Sequence, residues 1–318
     1  MDFNEQLASG SERSLIAQCF RLKGGNNMFS NYGTELIEVC SKENLSIWDY
    51  TLRYEEKESG LDRETILNKM KKNLNIMKEA SEYGLKHKVV SVSGLIGGDA
   101  YRLQQYINKG NTLTGEFMVK AMARAISCSE VNAAMGRIVA TPTAGSCGVL
   151  PAALITAGEK LGKSDDDLVK ALFTAAGVGI IIAKNATISG AEGGCQAEIG
   201  SASAMASAAI VEMMGGTPDM ALHAAAIVIK NILGLVCDPI AGLVEAPCAK
   251  RNAAGVVSAL TIADMVMSGV KSIIPFDDVV LAMYKVGKQM PCELRETALG
   301  GLADTPSGIE LRKRILGE

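Results

Sequence analysis

The sequence predicts an all-α protein, a compact multi-helix domain with glycine-rich loops and very little strand. Three observations lead there. Apolar residues recur at helical spacing, helix-start signals are well formed, and only one short stretch alternates as a strand does. An ordinary domain places about a fifth of its residues in strands, so the shortage here is informative.

Residues Met1 to Asn27 are polar, with Asp2, Glu5 and Glu12 early and the run Gly24-Gly25-Asn26-Asn27 at the end. They read as an extension (1–27) ahead of a folded body at 28–318, and their Cys19 has no evident role. Within the body, Ile66, Met70, Leu74 and Met77 recur at the helical period with Lys and Glu between them. The stretch Lys88-Val89-Val90-Ser91-Val92 is the one plausible strand, and it feeds a glycine turn. Ser164 followed by Asp165, Asp166 and Asp167 is an N-cap with acids on the positive end of the helix dipole. Thr217-Pro218-Asp219 starts another helix with a cap, a first-turn proline and an acid. That helix is expected to run through His223 and Lys230 and to stop near Cys237, because Asp238-Pro239 cannot continue it. Asn252 to Ser268 and Asp277 to Gln289 complete the helical set, with Pro291 closing the last.

Composition narrows the function classes. Of 318 residues, 48% are hydrophobic and 21% charged, enough apolar surface for a sizeable core. With 33 glycines and only 4% aromatic residues, that core is built from Ala, Val, Ile, Leu and Met, over which helices can approach closely. A net charge of −3 without a basic run argues against nucleic acid as the main partner. Mean hydropathy is +0.17, yet Ala171–Ala183 is too short to span a bilayer and Lys230 interrupts Ala224–Val236. A soluble, cytoplasmic protein acting on a small molecule, with no membrane contact, is the expectation. Eight cysteines without a secretory signal are not expected to pair as disulfides in a reducing cytosol.

Cys195, Cys237 and Cys248 stand out among them. Cys195 follows the glycine-rich Ser189-Gly190-Ala191-Glu192-Gly193-Gly194, Cys237 lies at the expected end of a buried helix, and Cys248 follows Glu245-Ala246-Pro247. Cys237 is 42 positions after Cys195, and Cys248 a further 11. Each sits beside Gly or Pro, where the backbone can bend thiolates toward one point. Thiolates select iron–sulfur clusters or zinc, and the closely spaced cysteine pair usual for structural zinc is missing. On spacing alone, three buried cysteines remain the commoner finding.

The segments Ser189–Ser203, Gly234–Asn252, Asn132–Pro151 and Arg295–Pro306 change that balance. They closely resemble the α subunit of bacterial iron–sulfur L-serine dehydratases of the two-chain type, and the resemblance runs from about Met28 to the C-terminus. It implies that Cys195, Cys237 and Cys248 hold a [4Fe–4S] cluster whose remaining iron is open to substrate. It also implies a lyase that converts L-serine to pyruvate and ammonia, with a smaller β subunit completing the enzyme. A related cluster lyase acting on cysteine or another small β-substituted amino acid is the alternative.

Two glycine-rich segments, Ser91–Asp99 and Thr141–Gly148, join apolar stretches through small hydroxylated residues. Tight turns and caps explain such composition by themselves. Under the resemblance, Ser93, Thr141, Thr143 and Ser146 become candidates for binding substrate through side-chain and backbone donors. Asn132 and Asn185 are further donors, with turn and cap roles as the plain alternative. Glu198, Glu245, Lys250 and Arg251 lie close in sequence to the matched cysteines, where a carboxylate could serve as base and a cation could hold the substrate carboxylate. Arg295 and Glu296 would close the site from the C-terminal side. Cys147 borders a substrate loop, whereas Cys40, Cys128 and Cys292 read as buried or partly buried structural residues. Both histidines are unpromising: His87 lies between Lys86 and Lys88 on an expected strand edge, and His223 on an alanine-rich helix. The general base is therefore expected from a partner chain.

Two other classes are weaker. Pyridoxal-phosphate catalysis needs a Schiff-base lysine and a phosphate loop; Lys184 and Gly190–Gly194 are available, but Glu192 opposes phosphate and the α/β alternation is missing. An electron-transfer or iron-sensing protein calls for a four-ligand cage and a docking or DNA-reading surface, which the near-neutral charge does not favour.

Overall fold

A computed structural model describes residues 29–317, so the expected extension over 1–27 and Cys19 lie outside the described residues. The described residues form thirteen α-helices and no strand, as the periodicity predicts. They are α1 (Gly33–Glu43), α2 (Ile47–Ser59), α3 (Arg63–Lys86), α4 (Asp99–Ile107), α5 (Gly115–Ala133), α6 (Val149–Leu161) and α7 (Asp165–Asn185). The one-turn α8 (Gly190–Gly193) and a π-helical turn, Gln196–Gly200, lead into α9 (Ser201–Met213). Then come α10 (Pro218–Asn231), α11 (Cys248–Met267), α12 (Phe276–Gln289) and α13 (Pro306–Leu316).

The centre of the core is α9, packed against α6, α7, α10 and α11. Every residue from Ser201 to Val211 is buried. A helix without a polar face has to be surrounded by others, and its Ala and Ser side chains let four neighbours come close. Its far end carries Glu212, a half-buried carboxylate that accepts from Ile47 N (2.6 Å) and Trp48 N (3.3 Å). Those amides begin α2, whose own N-cap side chain, Ser46, makes no capping bond; Glu212 satisfies from α9 what the local sequence leaves open.

The predicted starts hold. Ser164 and Asp167 form a reciprocal capping box at α7, with Asp167 N donating to Ser164 Oγ (3.2 Å) and Ser164 N to Asp167 Oδ2 (3.1 Å). Ser164→Ala is expected to lower stability by about 1 kcal/mol, visible as a fall of roughly 2 °C in Tm by calorimetry. Thr217 caps α10 through Met220 N, with Pro218 in its first turn. Among the described residues, no helix is long and apolar enough to cross a membrane.

Two expectations fail. Helix α10 stops at Asn231 rather than near Cys237. The chain leaves it early because Gly234 takes a left-handed φ of +86° and its N–H is held by Gln196 Oε1 at 2.9 Å. Cys237 therefore lies on irregular chain. Lys88–Val92 is not a strand either: it makes a single antiparallel bridge, Val90 to Gly97. Its alternation is real, with Val89 and Ser91 buried and Val90 and Val92 exposed. It has no neighbouring strand, so it closes on its own turn through Ser91 N to Ile96 O (3.0 Å). His87 accordingly caps the end of α3 and stacks on Tyr83, centroids 4.3 Å apart.

Candidate active site

Loops meet at the N-terminal ends of α9 and α11. Cys195 precedes the π-helical turn, a feature frequent at functional sites. Its neighbour Gln196, fully buried, donates to the carbonyls of Gly193 and Met283 at 3.0 Å each, and Gln196 N donates to Leu235 O at 3.0 Å. One amide side chain thus locks the Cys195 loop onto the chain leading to Cys237. Cys237 is held in turn by the C-terminal segment: its N–H donates to Leu294 O (2.8 Å) and its carbonyl accepts from Glu296 N (2.7 Å). Cys248 opens α11, and Asn252, one turn on, donates to Cys248 O (3.0 Å) and Gly145 O (2.7 Å) while accepting from Gly148 N (2.9 Å). Asn252 thereby ties the Thr141–Gly148 loop to the helix that carries Cys248.

All three cysteines are buried, and the structure brings two of them, Cys195 and Cys237, together. The sulfurs of Cys195 and Cys237 and a carboxylate oxygen of Glu198 all lie within 4.8 Å of one another. Cys248 falls outside that tight group, although the charges of Cys195 and Glu198 both act on its thiol. A hydrogen bond from Cys237, helped by the Arg251 charge, draws the Cys195 thiol below its ordinary range, while that bond and burial push Cys237 up. Cys248 is pushed up to about 12, by burial first. Gly190 makes the close approach possible: a Cβ there would sit 2.8 Å from Glu198 Oε2 and 3.0 Å from Cys237 Sγ.

Glu198 sits at the junction. Thr143 Oγ1 donates to its Oε1 at 2.8 Å, and Ser146 Oγ lies 3.1 Å from Thr143 Oγ1. Burial raises Glu198 to about 7 against the lowering effect of Thr143. Glu296 is raised by burial although Ala191 N–H donates to it, and its charge in turn raises Glu198 and Cys237. Because Glu198 ionises more readily unfolded than folded, the metal-free chain should lose stability as pH rises from the usual carboxylate range through about 7. Glu198→Gln should flatten that decline, seen as a smaller fall in Tm between about pH 5 and about pH 8.

The remaining predicted residues divide. Thr141 is fully buried with its Oγ1 unpartnered, in the loop that carries Thr143. Ser93 Oγ donates to Glu245 Oε2 at 2.6 Å, which joins the 91–99 turn to the segment before Cys248. Asn132 Nδ2 reaches Ala144 O at 3.4 Å. Asn185 is no pocket donor, since its amide is spent on Asn31 O (2.6 Å) and Ile181 O (2.9 Å). Lys250 turns away to Asp99, and Lys184 is taken by Phe29 O at 2.6 Å. Arg295 Nε is buried without an acceptor among the described residues, in the segment bridged to Cys237. Cys147 packs with Cys128 in a small apolar cluster, Cys40 is buried in α1, and Cys292 is exposed rather than buried, on a single turn after Pro291. His223 Nε2 lies 3.5 Å from Asp219 on its own helix. Gln196 and Asn252 were not singled out from sequence; the available signal was an amide beside Cys195 and another one helical turn after Cys248.

Two buried thiols and a buried carboxylate gathered at the end of a helical core, with a third buried thiol on the next segment, are a donor set of the kind soft metals take. The particular family is specific: residues 42–303 match the serine dehydratase alpha chain, and the chain belongs to that family. It is 51% identical to the probable L-serine dehydratase, alpha chain, of Bacillus subtilis, over 91% of this chain and 96% of that one. Against the L-serine dehydratase, alpha chain, of Peptoniphilus asaccharolyticus it is 49% identical, over 91% and 99%. It is also 35% identical to the L-serine dehydratase of Streptomyces coelicolor, where 85% of this chain covers 60% of the relative.

Proposed function

We propose that this chain is the α subunit of a cytoplasmic L-serine ammonia-lyase that forms pyruvate and ammonia, with a [4Fe–4S] cluster on Cys195, Cys237 and Cys248. The observation that carries the reading is the approach of two buried thiols, Cys195 and Cys237, with buried Cys248 under their electrostatic influence, in a member of the serine dehydratase alpha chain family. Their donor set fits the group: soft ligands, one of them already drawn toward the thiolate, around a cradle that a Cβ on Gly190 would fill. When bound, the cluster supplies an open iron that acts as a Lewis acid toward the serine hydroxyl.

The chain's own residues do the rest. The three cysteines give up their protons on binding, and their burial keeps bulk water from the ligands. Thr143 fixes Oε1 of Glu198, leaving Oε2 toward Gly190 and Cys237 for the proton that burial favours there. Arg295, with an unsatisfied buried Nε–H, is the cation available to meet the substrate carboxylate, because Arg251 is engaged by Asp238 and Lys250 by Asp99. Thr141 and Ser146 line the loop beside Glu198 as further donors. Neither histidine serves as base, since His87 is exposed at the end of α3 and His223 faces Asp219. The α-proton is taken by a group on a separate β subunit. In support, the alpha-chain relatives are matched over nearly their whole length, whereas the Streptomyces relative, named without a chain, is much longer than the match.

Pyruvate release from L-serine under anaerobic conditions, by this chain with its partner, tests the reading. Turnover of L-serine well above that of L-cysteine is expected. Preferential turnover of cysteine or another β-substituted amino acid would move the assignment to that substrate, and pyridoxal-phosphate dependence would overturn it.

A further inference from the structure

Arg251 lies one turn into α11, three residues after Cys248. Its Nη1 donates to Val236 O and its Nη2 to Asp238 Oδ1, each at 2.8 Å, so it grips the residues on both sides of Cys237. The charge of the same guanidinium also acts on the Cys195 thiol. Asp238 continues the chain of contacts, with Oδ2 accepting from Leu302 N at 2.8 Å. There Gly301, at a φ of +63°, passes so close that a Cβ would overlap the Asp238 carboxylate. The Arg251 and Asp238 side chains are only 16% and 4% exposed, so this is not a solvent-screened surface pair. Breaking such a buried pair leaves an uncompensated charge and is costly.

We propose that Arg251 is the positioning residue of the thiol site, holding Cys237 in fixed relation to Cys248 and Cys195 and drawing the 300–303 loop over them through Asp238. The inference rests on the reading of the three cysteines as cluster ligands. Two hydrogen bonds leave the guanidinium in a fork that fixes both distance and orientation, which a lysine ammonium cannot reproduce. Outer hydrogen bonds of this kind orient metal ligands and commonly change metal affinity by about 10–100-fold when removed.

The test uses the full chain as wild type, Arg251→Lys, Arg251→Gln and Asp238→Asn, with two readouts. In the metal-free proteins, hydrogen exchange followed by mass spectrometry over 234–248 and 293–304 should speed up by about tenfold or more in the variants, with distant helices unchanged. After anaerobic loading with ferrous iron and sulfide, release of iron to a ferrous chelator should be about tenfold or more faster in Arg251→Gln. Arg251→Lys should resemble Arg251→Gln if positioning is the role, and wild type if charge alone matters. Should Arg251→Gln not fold, Asp238→Asn decides, because it keeps the arginine and loosens one anchor. Wild-type exchange and wild-type iron release in the folded variants overturn the proposal. A wild-type chain that takes up no iron overturns the ligand reading instead, and the exchange arm still judges the clamp.

Discussion

Cys195→Ser, Cys237→Ser and Cys248→Ser are each expected to abolish cluster retention and to lower serine deamination by about a thousandfold or more, the several kcal/mol that Lewis-acid assistance supplies. Serine is too weak a soft donor to replace a thiolate, and each sulfur is the sole thiol its segment brings. The controls are Cys147→Ser and Cys128→Ser. These two side chains pack together in an apolar cluster with Ala80 and Val131, so their variants should lose some stability and keep most of their iron. Iron and sulfide analysis beside pyruvate assays checks the series. If Cys147→Ser empties the site while Cys248→Ser leaves it filled, the ligand set is wrong.

The second large effect concerns the partner. The chain alone should hold its cluster yet deaminate serine slowly, with turnover rising by about a hundredfold or more when the β subunit is added, the scale of a positioned general base. His87→Ala and His223→Ala should leave the reconstituted activity largely intact, because His87 is stacked on Tyr83 and His223 is turned to Asp219. Full turnover by the purified chain, free of any copurifying partner, would place the base within this chain. Glu198 and Glu296 would then be the groups to replace first.

What could be read in the sequence was what local chemistry decides. The Thr217-Pro218 start and the Ser164 box depend on residues three apart, and both stand as predicted. The end of α10 was illegible because Gly234 turns where Gln196, 38 residues earlier, holds its amide. Lys88–Val92 misled because one-sided burial over a turn produces the same alternation as a strand edge. At the site, the family resemblance marked Cys195, Cys237 and Cys248, and Glu198, Glu245 and Glu296 were candidates by their place beside the matched segments, with nothing in the sequence to say which of them come together. Glu198 and Glu296 meet only through the fold, across 98 positions of chain. Lys250 and Arg251 show why proximity in sequence was a poor guide. Adjacent helical residues point about 100° apart, so one reaches Asp99 on α4 and the other Asp238 beside Cys237.

The proposed lyase depends on the three thiols holding an iron–sulfur cluster with an iron open to substrate. Mössbauer spectroscopy of the anaerobically prepared, iron-57-loaded chain, with and without L-serine, tests it most directly. About four irons per chain are expected, one site differing from the other three and shifting when serine is added. A chain that binds zinc or no metal, or four equivalent irons indifferent to serine, would contradict it.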